Sequence, residues 1–300
     1  MTGAPFKPAN PAPATGDHPD ATFFRTGEGP LAALVDGVGY ILVPNRASGG
    51  FYVATLYRPG LSPDDWKAAD TYTFQSVEGE AAFRAHVNEQ AEHRRQFVRL
   101  ARTELAPGAA TPWGTAQVSH RYGDGILFHS TAGHGGFQVD EGANAQIHPL
   151  WRNADGWYEE DAEWAKVAAS FPLLFTDFER RQADRTLRDG QPDAYEKIHD
   201  VVLAPGESFV KDRRAFERKH VGDWIVTAAI NSDREPGFVE CVAAKGAKRS
   251  ASDIRRFLVP ADEYRIDRFG FVIDEGRHRL YDGPSSFIGW SDGRVKKAAS

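Results

Sequence analysis

The spacing of apolar positions divides the chain into three segments of different texture. In the first, residues 21–106, Gly39–Val43 and Phe51–Tyr57 alternate or run apolar on either side of a Pro-Asn-Arg-Ala-Ser-Gly-Gly connection, which predicts a long-looped β-hairpin. Thr71–Gln75 adds a candidate strand. Glu80–Leu105 then takes helical spacing, with Phe83, Val87, Ala91, Phe97, Ala101 and Leu105 on one face. The stretch Pro107–Pro112 is rich in turn residues and reads as a boundary.

The second segment is residues 111–200. Thr115–Arg121 and Asp124–Thr131 read as a tight hairpin turning at Tyr122-Gly123. The glycine loop 132–136 leads into a short strand, Phe137–Val139. Three helices are predicted after it: Glu159–Ser170, broken before Pro172; Asp177–Arg188, opened by a Thr176/Glu179 capping box; and Asp193–His199. In the third segment, residues 201–294, a basic helix Ser208–His220 precedes strands at Trp224–Ile230, Phe238–Ala244, Ile254–Val259 and Phe269–Ile273. The expected fold is therefore α+β: an N-terminal strand–helix unit, a central β-hairpin plus helices, and a C-terminal mostly-β unit. Residues 1–20 hold five prolines and read as a disordered leader, and 295–300 as a tail.

Composition narrows the setting. Charged residues make up 26% of the chain and the formal net charge is −6, the wrong sign for a general nucleic-acid binder. The Lys211–His220 helix is the one local candidate for phosphate contact. A single cysteine, Cys241, excludes an internal disulfide and points to a reducing, cytoplasmic compartment. No apolar run approaches 18 residues and no secretory pattern opens the chain, so no membrane association is expected.

Candidate chemistry concentrates in residues 111–171. With a turn at Tyr122-Gly123, His120 and His129 fall on one face of the ribbon, four residues or roughly 13 Å apart, too far to share one metal ion. His134 lies between Gly133 and Gly135-Gly136, a loop able to approach a ligand closely and to offer amides to an anion. On the predicted helix, Trp164, Val167, Ala168 and Phe171 mark the buried stripe. Extending that stripe backwards turns Glu160 and Asp161 inward and Glu159 and Glu163 outward. Acids in a first helical turn also have a plain electrostatic reason to be there. Converging with His134, however, Glu160 and Asp161 would form a catalytic or cation-binding set. No His-Glu-x-x-His or Cys-x-x-Cys motif supports a divalent metal, which makes it the lesser reading. Among the aromatic residues, Trp164 and Phe128 read as core, and Trp151 and Tyr158 as exposed; His129, Trp157 and Tyr158 join the glycines as candidate ligand-binding residues.

The strings Asp124-Gly-Ile-Leu-Phe-His-Ser-Thr-Ala-Gly-His134-Gly-Gly and Gly156-Trp-Tyr-Glu-Glu-Asp-Ala-Glu-Trp164 resemble an uncharacterised family of bacterial proteins often encoded on plasmids or phage-related elements. The resemblance covers residues 112–200 and extends to Arg256–Asp274. It implies a bacterial, mobile-element setting and no reaction. Two functional expectations follow. The first is a non-enzymatic accessory or interaction protein whose partner is another protein or a small molecule. The second is a hydrolase or transferase using His134, Glu160 and Asp161.

Overall fold

Two compact units make up the chain, Met1–Val201 and Val202–Ser300. The computed structural model describes residues 20–45, 49–57, 62, 65–67, 74–247, 253–287, 290–291 and 294–295. The architecture is α+β, with strands first, helices in the middle and a strand sheet at the end. Residues 1–19 of the leader, 296–300 of the tail, 46–48 of the connection at 44–50 and 71–73 of the predicted strand at 71–75 lie outside the described residues.

The first sheet is an antiparallel meander of β1 (Thr22–Arg25), β2 (Leu31–Val35), β3 (Val38–Pro44), β4 (Phe51–Tyr57) and β5 (Phe74–Val77). The predicted hairpin is present as β3 and β4, but β1 and β2 were not foreseen. β2 and β3 are joined by Asp36-Gly37, both at positive φ (47° and 71°), the backbone twist that a two-residue hairpin needs. Helix α1 (Glu80–Arg99) covers one face through Phe83, Val87 and Ala91, and Trp66 lies against the other.

α1 ends six residues earlier than its spacing predicts. Ala101 turns left-handed (φ 46°), and the chain leaves as strand β6 (Thr103–Leu105). Leu105 is therefore a strand residue, and Phe97 is an exposed helix residue.

The second sheet runs β12 (Trp157–Glu159), β11 (Gly135–Val139), β10 (Ile126–Ser130), β9 (Val118–Gly123) and β6, all antiparallel. Before it, β7 (Ala110–Thr111) and β8 (Gly114–Thr115) form a small ribbon. β9 (Val118–Gly123) and β10 (Ile126–Ser130) turn at Asp124-Gly125, with Gly125 at φ 71°, instead of at Tyr122-Gly123. A bulge between Ile126 and Leu127 then puts His120 opposite Phe128 and His129 opposite Ser119. The two histidines consequently lie on opposite faces of the ribbon. They still cannot share an ion, for a different reason from the one the sequence suggested.

β11 (Gly135–Val139) leads to the short helix α2 (Glu141–Asn144), and β12 (Trp157–Glu159) forms the sheet edge. The predicted helix at Glu159 begins only at α3 (Trp164–Ser170). A 3-10 turn at Pro172–Leu174, α4 (Asp177–Gly190) and α5 (Pro192–His199) follow. α4 carries the predicted capping box, and its first turn docks on α1 through Gln96 and Asp177. One face of the sheet, with Phe137 and Tyr158, packs on α3, α4 and α5 in a core that also holds Trp151, Phe175 and Leu187. Tyr158 and Trp151, expected to be exposed, are both buried.

The second unit holds α6 (Phe209–Lys219) and an antiparallel sheet of β13 (Trp224–Asn231), β14 (Phe238–Lys245), β15 (Ile254–Pro260) and β16 (Arg279–Leu280). The small pair β17 (Trp290–Ser291) and β18 (Arg294–Val295) closes it. Phe269–Ile273 makes only isolated bridges and is not a strand. Cys241 is a core residue, its thiol pushed up to about 12 by burial.

Candidate functional site

Strand parity assembles the most distinctive cluster. Ser130 pairs with Gly135, so 131–134 is a four-residue hairpin connection and Gly135-Gly136 are already strand residues. The Thr131 hydroxyl donates to the His134 carbonyl at 2.7 Å and accepts from the His134 amide at 3.2 Å, which pins the turn. On the other side of β11, Gly136 faces Glu159, and the Glu160 amide donates to the Gly135 carbonyl at 2.9 Å. Pairing thus runs one residue beyond β12. With side chains alternating at period two, His134, Glu159 and Asp161 share one face and Glu160 takes the other. One ligand atom from each of the three lies within 4.8 Å of the other two.

The sequence therefore misplaced these acids. On the premise of a helix, Glu159 is expected to face solvent and Glu160 and Asp161 to face inward; the extended backbone instead sets Glu159 and Asp161 on one face, leaves Asp161 exposed, and puts Glu160 half-buried on the face of Tyr158. Glu160 lies beside the strand backbone, where a Cβ on Gly135 would come within 2.4 Å of its carboxylate. The signal available in the sequence was the pair of β-favouring aromatic residues Trp157-Tyr158 directly after Gly156.

Within the cluster, His134 Nδ1 is 3.5 Å from Glu159 Oε1. Glu159 Oε2 accepts from the Asp161 amide at 2.9 Å, while Oε1 is buried with no hydrogen-bond partner. His134 is about half exposed and Asp161 is exposed, so the cluster opens to solvent. Next to it, Glu163 takes Lys166 at 2.6 Å and Asn153 at 2.8 Å. Burial raises the Glu163 pKa, but Lys166 outweighs it and the carboxyl sits below its ordinary value.

Gly135 and Gly136 serve space here, whereas nothing lies within 4 Å of where a Cβ on Gly133 would sit. None of Gly133, Gly135 and Gly136 takes a positive φ, so the loop is not an amide nest. A Cβ on Gly136 would come within 2.4 Å of the Trp113 ring and of the Tyr158 carbonyl. Trp113 in turn meets Trp157 edge-on at 5.7 Å. Trp113 was not singled out from the sequence as a site residue.

His129, on the same sheet face, is buried. Its Nδ1 lies 2.8 Å from the Ser119 hydroxyl and its Nε2 3.1 Å from Gln138 Oε1. The chain Ser–His–Gln has the order of a nucleophile, a base and an orienting group. Ser119 is only 1% exposed, however, so no substrate reaches it, and the chain acts as a packed polar row. Tyr158 is equally structural: its hydroxyl donates to Asn144 at 2.6 Å and accepts from the Asn153 amide at 3.0 Å. Of the nine predicted site residues, the structure brings His134 and Asp161 together and adds Glu159; Gly136, His129 and Trp157 share their sheet face, and Tyr158 and Glu160 lie on the other.

Residues 106–221 match the model of a domain of unknown function, DUF7007. No curated protein and no solved structure matches the chain. The DUF7007 match takes in β7 to β12 and α2 to α6, and so contains the whole cluster. In α6, Lys211 donates to the Leu203 carbonyl and Arg213 pairs with Glu217, so part of the basic face is already engaged. Among the described residues, no helix is long and apolar enough to cross a membrane.

Proposed function

We propose that the chain is a non-enzymatic binding protein and that the His134–Glu159–Asp161 cluster of the DUF7007 segment is its binding centre, loaded with a divalent cation. The observation that carries this reading is the convergence of ligand atoms of His134, Glu159 and Asp161 within 4.8 Å of one another, with Glu159 Oε1 buried, lacking a hydrogen bond and 3.5 Å from the imidazole nitrogen. A buried carboxylate oxygen without a partner is costly, and a cation satisfies it. Imidazole and carboxylates together suit zinc or manganese. Three protein ligands leave at least one coordination position for a carboxylate or phosphate of a partner. The half-exposed His134 favours binding over catalysis, because electrostatic catalysis works best where water is excluded. The setting in a bacterial mobile element rests on the motif resemblance alone.

The test uses untagged full-length protein stripped with a chelator. One equivalent of Zn²⁺ or Mn²⁺ is expected to bind and, at roughly 100 times Kd, to raise Tm by about 5 °C or more. His134→Ala and Asp161→Asn are expected to lose that rise. No shift with either metal, or an undiminished shift in both variants, overturns the reading. A metal-loaded protein that hydrolyses a chromogenic ester or phosphate, in a manner lost with His134→Ala, would favour the hydrolase reading instead.

A further inference from the structure

A cavity in the first unit shares no residue with the cluster. It has a volume of about 600 Å³, within the range of small-molecule sites. Three periodicities build it. Tyr40 pairs with Thr55, and Tyr57 lies two residues further along β4, so the three share a sheet face. His86, Gln90 and Arg94 stand at i, i+4 and i+8 on α1, beside the apolar stripe that packs on the sheet. Phe178, Gln182 and Arg185 stand at i, i+4 and i+7 on α4.

The lining itself carries two arginines, Arg94 and Arg185, and one acid. Its one acid, Glu89, is bound by Arg181. The lining arginines are held loosely: Arg94 is 4.0 Å from Asp36, and Arg185 is 3.7 Å from Asp189. Burial pushes the Tyr40 hydroxyl up, against the pull of the Arg94 guanidinium, so it stays a neutral donor. Burial also holds His86 below the usual imidazole value despite Glu89, so at neutral pH its ring can accept a hydrogen bond as well as donate one.

We infer that this cleft binds a small organic anion with a planar ring, its anionic group held by Arg94 and Arg185 and its ring set among Tyr40, Tyr57 and Phe178. Guanidinium is the side chain best matched to phosphate and carboxylate, and it stacks on rings. The inference is independent of the cation cluster, and its test runs in the presence of chelator.

Titration calorimetry with adenosine monophosphate and 4-hydroxybenzoate is the direct experiment, with adenosine and ribose 5-phosphate as the ring-only and anion-only controls. At least one of the two ring anions is expected to bind. Its controls should bind about tenfold more weakly or worse, and Arg94→Gln/Arg185→Gln should weaken it by about tenfold or more. Both arginines are substantially exposed, so the double variant is expected to fold, which circular dichroism checks. Gln182→Trp, which fills the cleft, gives a second arm and should abolish binding. No binding of either ring anion at millimolar concentration, or binding unchanged in both variants, overturns the inference.

Discussion

Glu179 and Glu159 are carboxylates of the same unit with similar side-chain exposure, 19% and 26%, and opposite circumstances. Glu179 receives Arg102 Nη1 at 2.9 Å, Arg102 Nη2 at 2.7 Å and the Thr176 amide at 2.8 Å. Arg102 is itself enclosed: it donates to the Leu174 carbonyl and lies 3.9 Å from the centre of the Tyr122 ring. Glu159 has one donor on Oε2 and none on Oε1. Equal burial with unequal satisfaction separates two uses of charge. Glu179 ties β9 and the end of α1 to α4 as part of the fold. Glu159 Oε1 and Arg102 Nε are both buried without a hydrogen bond, but beside Glu159 a histidine and a second carboxylate also offer ligand atoms within 4.8 Å of one another.

The largest expected effect comes from breaking the satisfied pair. Arg102→Met leaves Glu179 without its counter-charge, at a cost of about 3–5 kcal/mol in urea unfolding. Arg102→Met/Glu179→Leu is expected to recover most of that loss, because no unpaired charge remains. A double variant no better than the single one would mean that Arg102 acts chiefly through its ring contacts.

Glu179→Gln is the next step down. It keeps shape and removes charge, and should cost about 1.5–3 kcal/mol, the worth of hydrogen bonds to a charged group. It also carries a pH signature. Burial raises the Glu179 pKa, but the Arg102 hydrogen bonds and charge outweigh burial and leave it below its ordinary value of 4.5. A group depressed in the folded state binds its proton more readily when unfolded. Its stabilisation is therefore fully present above about pH 4.5 and is lost as pH falls through the folded value. Wild-type stability should fall more steeply than that of Glu179→Gln below pH 4.5; parallel curves would detach the depressed pKa from this pair.

The satisfied half of this comparison was partly readable in the sequence, and the other half was misread. The Thr176/Glu179 capping box is a local signal, and the structure contains it. Arg102 was hidden because helical spacing seemed to continue to Leu105; only tertiary pairing of β6 with β9 pulls Thr103–Leu105 into a strand. Two turns were missed for a chemical reason. Asp36-Gly37 and Asp124-Gly125 are the dipeptides that two-residue hairpins prefer, and overlooking them lost β2 and shifted the β9–β10 register. The β-bulge between Ile126 and Leu127, which no turn dipeptide announces, is what moves His120 and His129 to opposite faces. The cluster itself failed on period: acids before an apolar helical stripe look like a first turn, yet pairing with β11 holds Trp157–Glu159 extended.

The smallest expected effect is the most decisive for the comparison. Glu159→Gln makes the same change as Glu179→Gln at a similar depth. In chelator it should alter stability by no more than about 0.5 kcal/mol, because no charged donor is lost. With Zn²⁺ or Mn²⁺ present, the wild type should gain stability and the variant should not, so the two curves separate only when the cation is added. If Glu159→Gln instead destabilises the metal-free protein as much as Glu179→Gln does, Glu159 is held by the protein in the way Glu179 is. The unequal satisfaction of the two carboxylates would then carry no functional meaning, and the cation reading would fall with it.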